Sequence, residues 1–153
     1  MSLQSIPRVA GCVLCDGDGG ALVWRGPHFR VVRADEAGFP AFYRLVWTQH
    51  VAEFSDLSVE DRFLCMEAVA AIEQVLRREL RPEKINLAAF GNLVPHLHWH
   101  IVARFEDDSH FPAPVWAAAV RPRDTAHENA LSRRMPAIDA AIAARLDAGP
   151  AAA

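Results

Sequence analysis

His96-Leu97-His98-Trp99-His100 sets three imidazoles at two-residue spacing inside an apolar run that continues through Ile101 and Val102. Successive side chains of a β-strand point to opposite faces. The spacing therefore predicts all three histidines on one face, with Leu97, Trp99 and Ile101 on the other. Same-face neighbours stand about 6.5–7 Å apart, twice the rise per residue. A core face of three polar rings would need three sets of partners. The pattern reads instead as a functional strand, its middle ring facing a ligand while its neighbours orient it or serve other roles.

Outward from this strand, residues 84–90 read as a strand that reaches it through a tight Gly91-Asn92 connection, and the histidine strand itself covers 96–105. Further upstream, Ala21–Arg25 and residues 29–34 flank Gly26-Pro27-His28 as a hairpin would, and residues 42–48 are rich in aromatic and branched side chains. Ser58 is a plausible N-cap, with Asp61 placed to complete a capping box. Leu64, Ala68, Ala71 and Val75 then keep helical spacing to about Arg81, and Pro82 ends the helix. A second helix is expected over 128–146, with Pro136 starting its main part. Residues 110–123 contain three prolines and receive no element, and the tail from Gly149 reads as frayed. Three strands, a helix, two strands and a helix joined by short connections predict an α+β fold. Its five-stranded, mostly antiparallel sheet would run as a meander, with the long helix packed on one face and the second helix C-terminal. The 153 residues suit a single domain, 1–153, with a core over about 12–105 and a C-terminal extension over 106–153.

Composition narrows the function. A net charge of -3 offers no basic face for a nucleic acid polymer, though a local cluster of cationic groups could still hold a small anion. No apolar stretch reaches membrane-spanning length, and the first residues lack the pattern of an export leader. A cytoplasmic setting is expected, without a membrane partner. Three cysteines are an odd count, against a disulfide framework. Cys65 sits among apolar neighbours as a small core residue, whereas Cys12 and Cys15 form a C-x-x-C pair that suits half a metal site or a redox pair. Four tryptophans and apolar residues beyond the needs of one small core fit a homodimer.

Three chemistries compete for the histidines. All three could ligate a metal, although ligands along one straight strand converge poorly on a tetrahedral ion. The middle imidazole could attack a phosphorus centre, provided its other nitrogen carries a proton and finds an acceptor. General acid–base catalysis without a covalent intermediate is the third. Residue spacing alone leaves the last two open.

The stretch from Asn86 to Val102, with His96-Leu-His98-Trp-His100-Ile-Val at its end, resembles the signature of the histidine triad (HIT) family, three histidines alternating with apolar residues. Residues 29–35 resemble the family's second strand, ending in an acidic residue that holds a ribose. Residues 45–50 with Asp56-Leu57 resemble its third strand and entry to the helix, and 12–105 follow the pattern overall. The resemblance implies a nucleotide hydrolase or nucleotidyl transferase acting at an α-phosphate, with a small nucleotide as substrate and no organic cofactor. It implies dinucleoside polyphosphates or nucleoside phosphoramidates as substrates. His98 would be the nucleophile, His96 its orienting partner and His100 a phosphate ligand; Asp35 would bind the ribose, with Asn86 and Asn92 near the phosphates. It further implies a structural zinc on Cys12, Cys15, His50 and His96, as in some bacterial members, and a homodimer. Residues 108–116 resemble a bacterial subgroup described as diadenosine polyphosphate hydrolase-like. Leu93 departs from the pattern, since it stands where a hydroxyl donor is usual. That departure favours a second reading, a nucleotide-binding or sensing module with little catalysis.

Overall fold

The structure, a computed structural model, describes residues 7–149. The tail expected to fray therefore lies, from residue 150, outside the described residues, as do the first six positions. Strands β1 (Ala21–Arg25), β2 (Phe29–Arg33), β3 (Phe42–Trp47), β4 (Lys84–Ala88) and β5 (His98–Arg104) form one antiparallel sheet in the order β1-β2-β3-β5-β4. This is the expected α+β sheet with one change from a plain meander. The chain leaves β3, crosses through a 3-10 turn (Phe54–Asp56) and helix α2 (Val59–Leu80), and enters β4 at the sheet edge before β5 returns between β3 and β4. The histidine strand is consequently internal, with His100 paired to Arg44 on one side and Ala88 on the other.

Ser58 caps α2 by accepting the Asp61 backbone N–H at 3.0 Å. The reciprocal capping box occurs one turn earlier, between Glu53 and Asp56. Helix α2 buries Cys65, Ala68, Val69, Ala71, Ile72, Val75, Leu76 and Leu80, a wider stripe than the expected one, with Leu64 only half-buried. It ends at Arg81 in the left-handed conformation, ahead of Pro82.

Helix α3 (Thr125–Asp147) corrects the expectation for Pro136, which lies inside the helix rather than at its start. Asp124 caps the true start by accepting the His127 N–H. Proline removes one intrahelical bond, but Leu131, Met135, Ile138 and Ile142 are buried on both sides of it, so packing carries the helix through. Helices α2 and α3 pack together with Val31, Tyr43, Leu45, Ile85, Ile101 and Ala103 in one continuous core on one sheet face. Each buried Val, Leu or Ile among them contributes about 1.5–3 kcal/mol. Among the described residues no helix is long and apolar enough to cross a membrane.

The opposite face is left for chemistry. Arg30, Arg44, His98, His100 and Arg104 belong to it by strand alternation and register. A short helix α1 (Val13–Asp16), absent from the expectations, is fastened over one end of this face by Arg30. That buried guanidinium donates to the carbonyls of Leu14 at 2.7 Å and of Gly17 and Asp18 at 2.9 Å.

Candidate active site

The strand begins at His98, so only His98 and His100 alternate on it; His96 stands in the turn before, its N–H on the Val94 carbonyl. The expectation of three rings in line is thereby corrected. Pro95 cannot donate to a ladder, and a cluster beneath the turn engages the His96 ring instead. The ring is fully buried. Its Nε2 lies 2.7 Å from the Trp47 carbonyl oxygen, to which it donates, and its Nδ1 lies 3.5 Å from both Cys12 Sγ and Cys15 Sγ. His50 Nδ1 is 3.4 Å from Cys15 Sγ, and ligand atoms of Cys12, Cys15, His50 and His96 all lie within 4.8 Å of one another. A tetrahedral zinc with ordinary bond lengths sets sulfur and nitrogen about 3.5 Å apart. The four side chains therefore fit such an ion, and the Trp47 carbonyl fixes the ring tautomer as an outer partner would.

His96 meets His98 through its backbone. His98 Nδ1 lies 2.6 Å from the His96 carbonyl oxygen, so the proton sits on Nδ1 and the lone pair on Nε2. His98 and His100, with ring centroids 4.9 Å apart, line a cleft of about 510 Å³ together with Val13, Leu14, Arg44, Asn92 and Trp116. His100 is 6% exposed and edge-packed by Phe42 and Trp116. Its Nδ1 has no partner among the described residues. Burial first, and then the Arg44 charge, holds the pKa of His98 below its ordinary value against the pull of the His96 carbonyl. Burial, His98 and Arg44 push His100 down to about 3. Both rings are thus neutral near pH 7. A neutral imidazole with its lone pair free is a nucleophile or base.

The other expected residues are distributed unevenly. Asn92 lines the cleft, as does Leu93, which is 96% exposed and offers no side-chain donor. Asn86 lies on β4, where its Oδ1 accepts from Arg104 at 2.8 Å. Asp35 is exposed, just beyond β2 and away from the cleft lining. Sequence reasoning missed Arg44 and Phe90. The signal for Arg44 was available, because a charged residue in the middle of an aromatic strand must face something polar.

Trp116 reaches the cleft on a loop held by a buried ion pair. Arg104, 1% exposed, donates to Asp108 from Nε at 2.7 Å and from Nη2 at 3.0 Å, and Nη2 also reaches the Ala113 carbonyl at 2.7 Å. Burial alone would raise the Asp108 carboxyl, but Arg104 and the N–H groups of His110 and Phe111 outweigh it and hold the pKa below its usual value.

The sequence model of the HIT domain matches residues 20–107. No curated protein matches the chain significantly. Among solved structures, a histidine triad protein from Bradyrhizobium japonicum is 28% identical, with a TM-score of 0.62 over 79% of this chain and 92% of that one. A histidine triad (HIT) protein from Sinorhizobium meliloti is 25% identical, with a TM-score of 0.61 over 78% of this chain and 90% of that one. A zinc-bound histidine triad family protein from Mycobacterium smegmatis shares the fold at 18% identity, with a TM-score of 0.60 over 90% and 94%.

Proposed function

This chain belongs to the histidine triad (HIT) family, and from that premise we propose that it is a nucleotide hydrolase or nucleotidyl transferase acting at an α-phosphate through His98. The observation that carries the reading is the 2.6 Å contact from His98 Nδ1 to the His96 carbonyl, which leaves Nε2 unprotonated beside the cleft. In the first step Nε2 forms a bond to the α-phosphorus as the bond to the leaving oxygen or nitrogen breaks. In the second, water or another acceptor attacks phosphorus, loses its proton, and releases His98. His100 steadies the phosphoryl oxygens as charge develops on them. Asn92 stands near the phosphates, and Asp35 and Asn86 belong to the nucleotide site by their match to the family pattern.

Leu93 bears on the substrate. An amine leaving a phosphoramidate must take up a proton, whereas a phosphate leaving an anhydride departs as a stable anion. A cleft without a hydroxyl at this position favours dinucleoside polyphosphates over phosphoramidates. Cys12, Cys15, His50 and His96 would hold a zinc ion, which would stiffen the turn before β5 and take no part in bond cleavage. The exposed Leu87 and Phe90, at and beyond edge strand β4, suit a homodimer, and free cysteines suit the reducing cytoplasm.

Replacing His98 by Ala should lower turnover of a dinucleoside polyphosphate by about a thousandfold or more, with the melting temperature unchanged. Near wild-type turnover in that variant would refute the assignment. Leu93 also supports a second reading, a binding module. Calorimetry finding tight nucleotide binding beside negligible turnover across a substrate panel would establish it.

A further inference from the structure

Arg44 occupies the middle of β3, directly across from His100 in the antiparallel register. Its one hydrogen bond among the described residues runs from Nη1 to the Gly19 carbonyl at 3.1 Å. Among the described residues its buried Nε has no acceptor, and the buried Nδ1 of His100, its cross-strand partner, has none either. Two orphaned polar atoms on directly paired residues are unusual, because a buried polar group without a partner is costly and rare in folded proteins. The charge is equally uncompensated. The lining of the cleft includes no carboxylate, and Arg44 forms no ion pair among the described residues. A guanidinium presents planar, charge-assisted donors suited to phosphate oxygens, and it keeps its charge at every working pH. The guanidinium carbon also lies 5.4 Å from the centre of the Phe42 ring.

We propose that Arg44, with His100 beside it, forms a fixed anion subsite that binds the phosphate next to the one attacked by His98. The register supports the adjacent position. His98 pairs with Val46 and Arg44 with His100, so the two lie one strand and two residues apart, about 8 Å between backbones. His100 stands between them, two residues from His98 and directly opposite Arg44, so it can reach the attacked phosphoryl while Arg44 takes the next phosphate. The subsite would select substrates with a phosphate chain over those with a single phosphoryl group, and would supply charge-assisted donors in a cleft where the Leu93 side chain supplies none. The proposal rests on the phosphoryl-transfer reading for its biological meaning but can be tested without turnover.

Inorganic pyrophosphate is the probe, titrated calorimetrically into the whole chain, with adenosine as the uncharged control. Arg44→Met should weaken pyrophosphate binding about 10- to 100-fold, the loss of one or two charge-assisted hydrogen bonds, and leave adenosine binding unchanged. Arg44→Lys keeps the charge without the fork and should fall between, which carries the test if the Met variant fails to fold. Turnover is read separately on His98→Ala: near wild-type turnover there, beside an Arg44-dependent loss of pyrophosphate binding, would remove the nucleophile and keep the subsite. Failure of the nucleophile assignment is then separable from failure of the subsite. Three results would overturn the proposal: no pyrophosphate binding by the wild type at millimolar concentration, wild-type affinity in both Arg44 variants, or an equal loss of adenosine binding that assigns the guanidinium to the nucleoside.

Discussion

Replacing Asp108 by Asn should destabilise the protein and loosen its cleft together, and the hydrogen bonds set the size of the effect. The two carboxylate oxygens accept five: Oδ1 from Arg104 Nη2 and the N–H groups of His110 and Phe111, and Oδ2 from Arg104 Nε and the Phe105 N–H. An amide keeps the shape but turns one of those oxygens into a donor. Whichever way it flips, two or three acceptor contacts are lost and an N–H faces other N–H groups. Arg104 is meanwhile left buried without a counter-charge. Breaking one partner of a buried pair costs about 3–5 kcal/mol, and for a chain of this length that corresponds to a fall of about 6–20 °C in melting temperature. Because the same pair ties down the Ala113 carbonyl, upstream of Trp116, KM for a nucleotide substrate should rise more than kcat falls. The acid limb follows from the depressed carboxyl. Its contribution is whole above about pH 4, where the unfolded carboxyl titrates, and is lost as pH falls through the lower native value. Calorimetric melting at pH 7 and 3.5 measures both effects. A variant that melts within about 2 °C of wild type at pH 7 would refute the assignment of this pair as the anchor of the loop.

Two further expectations concern the histidines. Since burial first, then His98 and Arg44, hold His100 down to about 3, the unfolded chain takes up a proton below about pH 6.5 that the native chain refuses. Stability should then fall with pH by up to about 1.4 kcal/mol per unit for this group, and His100→Asn should reduce the slope of urea midpoints between pH 6.5 and 5; an unaltered slope would contradict it. Untreated protein should carry about one zinc ion per chain, and Cys15→Ser should lower both metal content and melting temperature. A fully folded, metal-free wild-type preparation would remove the zinc from the account.

The residues explain why some features were legible in the sequence and others were not. Alternation of His98 and His100 was readable because a strand has a strict period of two, and the α2 boundaries because Ser58 and Pro82 act locally. The position of β5 between β3 and β4 was hidden, since short connections suit a meander equally well and pairing is decided by what the sheet buries under α2 and α3. The orientation of His96 depends on a turn, a distant cysteine pair and the Trp47 carbonyl, none of which local periodicity encodes. Pro136 misled for a related reason, because tertiary packing on either side overrode a local helix-breaking signal.

His96 divides its labour between main chain and side chain: the carbonyl serves His98, and the ring turns away toward thiols and the Trp47 carbonyl. The two duties are separately heritable. Any residue that kept the turn's backbone path would keep the carbonyl in place, whereas the contacts with the two thiols and the Trp47 carbonyl belong to the imidazole. A chain without Cys12 and Cys15 could exchange that histidine and keep the His98 ring oriented, leaving a family signature with one letter changed and the same nitrogen turned to the cleft.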